Sequence, residues 1–194
     1  MKLGIMVMGN VACGKTTTAK SLMEYFKSIG ERAYLISETN GNMGDRLDAI
    51  DLKMFKYNHT DDKPEILIVD GALLTVYDRD QVLHGDNADE ERVWVCVYMD
   101  RNPQVTKQFN ETKGHKRYSD NWIRKYHFRD QRPIHDEGFD LIERVGGTDY
   151  LDIDRLISNM NRLVGTDFPL IKANNQDQAE AEPVEDAEVE HEAE

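Results

Sequence analysis

Residues 2–16 read KLGIMVMGNVACGKT, an apolar run that passes into a glycine-rich turn and ends in lysine and threonine. Residues 2–8 are almost continuously apolar, which predicts a strand buried on both faces of a parallel sheet. Residues 15–29 carry apolar side chains at helical spacing, and Gly30 predicts the end of that helix. A buried strand, a turn and a helix in this order predict an α/β fold.

Residues 9–16 match the pattern G-x-x-x-x-G-K-[ST] in full, and they lie between a strand and a helix, as a phosphate-binding loop requires. Gly9 and Gly14 allow backbone angles that a side chain would block, so the exposed N–H groups can cradle phosphate oxygens. Lys15 can reach the terminal phosphates, and the Thr16 hydroxyl can ligate Mg²⁺. The sequence therefore predicts that ATP and Mg²⁺ bind here. The residues expected to bind the nucleotide are Gly9, Asn10, Val11, Ala12, Cys13, Gly14, Lys15, Thr16 and Thr17.

Strands and helices alternate along the rest of the chain. We predict further strands at 32–37, 65–69, 92–99 and 139–145, and helices at 43–57, 103–112, 119–129 and 149–163. This order predicts a three-layer α/β/α fold with a parallel central sheet and a helical lid, formed by one domain over residues 1–170. The second strand is expected to lie beside the strand that precedes the phosphate loop.

The net charge of −13 is concentrated at the end of the chain. Residues 173–194 hold nine of the 37 acidic side chains and none of the 24 Lys and Arg, so residues 1–172 carry a net charge of −4. Residues 171–194 have no aromatic side chain, and we expect an acidic disordered tail. A solubilising role is favoured over an interaction arm.

The cysteines, Cys13 and Cys96, show no metal-ligand spacing, so we expect reduced thiols in a cytoplasmic protein. No apolar run approaches the roughly 18–20 residues of a membrane span, so no membrane partner is expected.

Asp70 ends the third predicted strand. Ligands gather at the carboxyl ends of parallel strands, which favours a metal-facing acid that works with Thr16. The alternative is a carboxylate that caps the following helix.

No guanine-reading N-K-x-D run exists in the chain, so a GTPase is set aside, and a mechanical ATPase would usually be longer. A short domain of this kind suits a phosphotransferase, which needs a base, cations over the transferred group and a lid. Glu38 is the candidate base, with Asp45 in reserve, and a solvated loop acid is the alternative. Arg46 is either an acceptor-phosphate ligand or a surface cation.

The lid candidate is residues 113–132, which hold seven Lys and Arg, two acids and four aromatic residues. Arg117 and Lys113 could clamp the ATP phosphates, while later cations such as Arg124 could follow a polynucleotide backbone and the aromatic residues could stack on bases. The alternative is an amphipathic helix with solvated cations. We expect Ile123 and at least one aromatic side chain to pack inward.

Several of these segments resemble the kinase domain of polynucleotide 5′-hydroxyl kinases. Residues 38–41 are similar to the segment after the second strand where that family has its catalytic base, and residues 93–103 are similar to its fourth strand. Residues 129–145 resemble its Pro-x-x-x-Glu-Gly-Phe-x-x-Ile signature, carried by Pro133, Glu137, Gly138, Phe139 and Ile142. The resemblance covers residues 3–145. It departs from the family in having Glu at position 38, where the family has Asp, and Gly-Ala-Leu after Asp70.

The resemblance implies an ATP-dependent kinase that acts on a nucleic-acid hydroxyl, most simply a polynucleotide 5′-OH. Lys15, Glu38, Asp70 and Arg117 are the expected catalytic residues. Asn40, Arg46 and Arg124 are the expected acceptor-binding residues, and Thr16 and Asp70 the expected Mg²⁺ ligands. A kinase of a hydroxymethylated base in DNA, a nucleoside or small-molecule kinase, and a non-catalytic ATP-binding switch remain alternatives. The oligomeric state does not follow from the sequence.

Overall fold

The computed structural model describes residues 1–37, 43–89, 91–112 and 118–171, except for the side chains of residues 43–46. Five strands form one parallel sheet. In chain order they are β1 (Leu3–Gly9), β2 (Ala33–Ser37), β3 (Ile66–Asp70), β4 (Val93–Met99) and β5 (Leu141–Arg144). The helices are α1 (Lys15–Ser28), α2 (Met43–Asn58), α3 (Val76–Leu83), α4 (Pro103–Glu111), α5 (Asp120–Arg129) and α6 (Ile153–Leu163), with a 3₁₀ turn at His135–Glu137.

The strand order is β2-β3-β1-β4-β5, so β1 lies at the centre of the sheet. The expectation that β2 lies beside β1 is wrong, because β3 lies between them and pairs with both. The side chains explain the order. All five residues of β3 are buried, as a central strand needs, whereas only Ile36 is fully buried in β2, which suits an edge strand.

Helices cover both faces of the sheet and confirm the three-layer prediction. Alternate residues of β1 point to opposite faces. Leu3, Ile5 and Val7 pack with α1 and α6, while Met6 and Met8 pack with α2 and α3. The glycine-rich loop between β1 and α1 therefore lies at the carboxyl edge of the sheet, where ligands of such folds bind.

Helix α3 was not predicted from the sequence. Thr75 is its N-cap and forms a capping box with Asp78, each side chain accepting a hydrogen bond from the other residue's backbone N–H. Its eight residues carry few apolar side chains, so the helical period is weak. The Thr-x-x-Asp pattern was the available signal.

The predicted tail lies outside the described residues except for its first residue, Ile171. Within the described part of the chain, no helix combines the length and hydropathy that a membrane span requires.

Candidate functional site

The loop between β1 and α1 has the backbone geometry of a phosphate cradle. Gly9 and Gly14 have φ angles of 136° and 98°, and Ala12 between them has a φ of 58°. A Cβ on Gly9 would lie 2.8 Å from the carbonyl oxygen of Met99. Both left-handed geometry and close contact with β4 therefore require glycine at position 9.

Lys15 lies across this loop. Its Nζ donates a hydrogen bond of 2.8 Å to the carbonyl oxygen of Asn10, so the ammonium returns to the first half of the turn. The side chain of Asn10 is fully buried. It accepts a hydrogen bond from the N–H of Val11 at 2.7 Å and donates one to the carbonyl of Ile123 at 3.3 Å. Asn10 thus connects the phosphate loop to helix α5.

Arg101 supports the loop from the side of β4, and sequence reasoning missed it. Its buried guanidinium donates a hydrogen bond of 2.8 Å to the carbonyl of Cys13 and bonds the carbonyls of Gly147 and Asp149. It also lies 4.5 Å from the ring centre of Phe109 in α4. One side chain therefore connects the loop to α4 and to the segment after β5. An arginine two residues past a buried strand was the available signal.

Cys13 contributes backbone geometry rather than thiol chemistry. Its side chain is buried and unpaired with another cysteine. Burial raises the pKa of the Cys13 thiol above its ordinary value, against the opposing effect of Lys15. The thiol therefore stays protonated and weakly nucleophilic at neutral pH.

Thr16 and Asp70 meet at the carboxyl edge of the sheet. The Thr16 hydroxyl donates a hydrogen bond of 2.8 Å to Oδ2 of Asp70, which is buried at the end of β3. The helix that follows is capped by Thr75, so capping is not the role of Asp70. Hydroxyl and carboxylate oxygens are donors that suit Mg²⁺ when phosphate oxygens and water complete its octahedron.

Helix α5 covers the phosphate loop. Ile123 and Tyr126 are buried against Val11 of the loop and Leu74 after β3, which confirms the expected inward packing. Trp122 and Phe128 are exposed, as is Arg124. The helix therefore has one apolar face on the site and one solvated face rich in cations and aromatic rings.

The segment after α5 is fixed by a buried ion pair. Arg79 of α3 donates two hydrogen bonds to the Glu137 carboxylate, at 2.5 and 2.8 Å, and further bonds to the carbonyls of Leu73 and Gln131. Gly138 follows with a φ of 107°, and Phe139 is buried in the core. Through Arg79, the Glu-Gly-Phe signature thus joins the loop after Asp70 to the segment after α5.

Asp130 forms a second contact at the end of α5. Its Oδ2 accepts a hydrogen bond of 2.9 Å from the Tyr98 hydroxyl, and its buried Oδ1 has no hydrogen-bond partner among the described residues. Burial raises the pKa of the Asp130 carboxyl above its ordinary value, although the Tyr98 hydrogen bond and His127 act in the opposite direction.

The remaining predicted site residues cannot be placed. Glu38, Asn40 and Arg117 lie outside the described residues, as does Lys113, and so do the side chains of Asp45 and Arg46. The structure brings together Lys15, Thr16 and Asp70. It places Arg124 on the solvated face of α5.

No protein-family model matches the sequence, and no curated protein is similar to it in sequence. Solved structures do match. Kti12 of Chaetomium thermophilum in complex with ADP-AlF3 matches with a TM-score of 0.64 and 16% identity, over 84% of this chain and 98% of that chain. A fungal RNA kinase matches with a TM-score of 0.56 and 16% identity, over 94% and 100%.

The APS kinase CysC of Mycobacterium tuberculosis, in complex with AMPPNP and APS, matches with a TM-score of 0.56 and 17% identity, over 85% of this chain and 98% of that chain. At this level of identity the likeness concerns the fold. The chain shares the α/β fold of these structures, with a five-stranded parallel sheet and the loop of residues 9–16 after its central strand.

Proposed function

We propose that the chain is an ATP-dependent kinase that transfers the γ-phosphoryl group to a hydroxyl of a nucleic acid, in the first place a polynucleotide 5′-OH. The observation that carries the proposal is the contact between Thr16 and Asp70 beside Lys15, at the mouth of a complete phosphate loop. These groups supply the cation, the metal ligand and the buried acid that phosphoryl transfer uses.

The hydrogen bond between Thr16 and Asp70 orients the groups that would bind ATP and Mg²⁺. A hydroxyl has one proton and two lone pairs. Because the proton of Thr16 is donated to Asp70, the lone pairs are available to Mg²⁺. Thr16 and Asp70 would hold the ion, which would supply positive charge to offset the negative charge of the phosphates during transfer. Lys15 would stabilise the same charge from the loop side.

The part of the site that would bind the acceptor hydroxyl is proposed from the register of the sheet. Ser37 pairs with Asp70, and Asp70 in turn pairs with Val7 of β1. Ser37 is the last residue of β2, so it lies one strand beyond Asp70 and two strands beyond β1. Strands lie about 4.8 Å apart, so roughly 10 Å separates the backbone at Ser37 from that of β1. Glu38 is the next residue in the sequence, and we propose it as the base that accepts the proton of the acceptor hydroxyl.

Nucleic acid is favoured as the acceptor by the solvated face of α5 and by the fungal RNA kinase among the similar structures. Residues 118–132 hold four Lys and Arg against two acids, in a chain whose net charge is −13. A local cationic surface with exposed aromatic rings suits a phosphodiester strand and its bases. A sugar or nucleoside acceptor would not need this surface.

The test is transfer of label from γ-labelled ATP to a panel of acceptors: 5′-hydroxyl oligonucleotides, hydroxymethylated DNA, nucleosides and sugars. We expect label on the 5′-hydroxyl oligonucleotides, and expect a Lys15→Met variant to lose it, which excludes a contaminating kinase. If label appears only on hydroxymethylated DNA or on a small molecule, that molecule replaces the polynucleotide 5′-OH as the proposed acceptor. ATP binding without transfer to any acceptor would replace the kinase by a nucleotide-binding switch.

A further inference from the structure

We propose that the groove between α4 and α5 binds a nucleobase and a neighbouring phosphate of the acceptor strand, away from the reacting hydroxyl. The proposal rests on the proposed function and extends it to the path of the strand. The groove has a volume of about 380 Å³. Pro103 and Lys107 line it from α4, and Ile123, Arg124, His127 and Phe128 line it from α5.

An aromatic side chain at this groove is exposed to solvent. The side chain of Phe128, in the last turn of α5, is 87% exposed. Ile123 is buried at the base of the same groove, and Pro103 lies on the opposite wall. A flat ligand that enters here covers the Phe128 ring on one side. Stacking of this kind accepts any base, because every base has an aromatic face.

The charges around the groove complement phosphate. Arg124 lies four residues before Phe128, so the two side chains share one side of α5. Lys107 faces them from α4, where it forms an ion pair with Asp120 at 2.5 Å. The second acid of residues 118–132 is Asp130, whose Oδ2 accepts a hydrogen bond from the Tyr98 hydroxyl. Asp120 is therefore paired with Lys107, and the exposed Arg124 side chain can contact a phosphodiester.

The position of the groove sets how far the strand must reach. The inner side of α5 packs on the phosphate loop through Ile123 and Val11, and the groove lies toward α4. A helix is about 10 Å across with its side chains. Stacked nucleotides rise about 3.4 Å each, so roughly three nucleotides span the width of α5 between the phosphate loop and a base stacked on Phe128. A dinucleotide acceptor would not reach the groove, whereas a twelve-nucleotide strand would.

The experiment is binding of fluorescein-labelled single strands of two and twelve nucleotides, followed by fluorescence anisotropy over a range of salt concentrations. Phe128→Ala should weaken binding of the twelve-nucleotide strand by about 10-fold without a change in salt dependence, because stacking carries no charge. Arg124→Gln should flatten the slope of log affinity against log salt by about 0.7, the value for one phosphate of a single strand. Both losses should be smaller with the dinucleotide.

Matched control residues lie in the last turns of α2 and α6, away from the groove. Phe55 is an exposed aromatic residue near the end of α2, and Arg162 is an exposed arginine in the last turn of α6. Phe55→Ala and Arg162→Gln should bind the long strand as the unaltered chain does. Melting temperatures of all four variants establish that each is folded.

Three results would overturn the proposal. The first is equal binding of the long strand by Phe128→Ala and by the unaltered chain. The second is no measurable binding of either strand. The third is displacement of the strand by polyglutamate as effectively as by unlabelled strand, which would indicate a general polyanion surface. If binding of the long strand depends on Phe128 but no label is transferred, the groove remains a nucleic-acid site and the kinase proposal is rejected. If label is transferred but Phe128→Ala binds the long strand normally, the kinase proposal is kept and the groove proposal is rejected.

Discussion

Replacement of Arg79 by methionine tests the buried ion pair that joins the loop after β3 to the segment after α5. The Arg79 side chain is 0% exposed and that of Glu137 is 6% exposed. Methionine keeps the apolar stem but removes the cation. The variant leaves a buried carboxylate and also removes the donor to the carbonyls of Leu73 and Gln131. Removing one partner of a buried pair costs about 3–5 kcal/mol.

The expected change is large enough to measure in two ways. For a chain of this size, 1 kcal/mol corresponds to about 2–4 °C, so the melting temperature should fall by roughly 6–20 °C. Urea unfolding followed by circular dichroism gives the free energy directly. A control is the exposed pair of Arg32 and Asp62, whose side chains are 61% and 86% exposed. Arg32→Met should change the free energy of unfolding by less than about 1 kcal/mol.

A double variant separates charge from shape. Arg79→Met combined with Glu137→Met leaves no charged side chain at the site of this pair. The double variant should therefore be more stable than Arg79→Met alone. It should remain less stable than the unaltered chain, because the carbonyl of Leu73 and the N–H of Ile134 still lose partners. A loss below about 1 kcal/mol for Arg79→Met, or a double variant less stable than both single variants, would refute the reasoning.

Three further predictions concern the base, the buried acid and the tail. Glu38→Gln should lower phosphoryl transfer by about 10²-fold while ATP binding is kept, and unchanged turnover would exclude Glu38 as the base. Asp130 has a raised carboxyl pKa, so its ionisation opposes folding as pH rises from the ordinary value of 3.8 through the raised value. Asp130→Asn should therefore gain stability relative to the unaltered chain above that range and lose the gain below pH 3.8, measured by urea unfolding at both ends. A chain that ends at Lys172 should keep its melting temperature and activity, since the acidic tail is expected to be disordered.

Much of the fold follows from the sequence because its signals are local. The buried run of β1, the glycines of the phosphate loop and the helix after Lys15 lie within thirty residues, and each has a short-range physical cause. Strand order depends on contacts between distant segments. The edge position of β2 is visible in the sequence only as weaker hydrophobicity in AYLIS than in ILIVD.

The supporting residues of the site were harder to predict. Arg79 and Glu137 are 58 residues apart in the sequence, and Arg101 lies 88 residues from Cys13. No periodicity connects such pairs, since only the completed fold brings them together. The resemblance identified Glu137 and Gly138 as a signature but gave no reason for it. The structure provides one, because Glu137 fixes Arg79 and Gly138 takes a left-handed angle.

Helix α5 is attached to the phosphate loop too firmly to act as a freely opening flap. To lift it, the hydrogen bond between Asn10 and Ile123 must break, and the buried side chains of Ile123 and Tyr126 must leave Val11. Exposing each buried side chain costs about 1.5–3 kcal/mol, so the two together cost about 3–6 kcal/mol. A state of that energy is populated at less than about 1%. At equilibrium α5 therefore lies over the loop in nearly all molecules. Its outer face with Arg124 and Phe128 is then a persistent surface, which favours the proposed preformed groove over selection of the acceptor by lid closure.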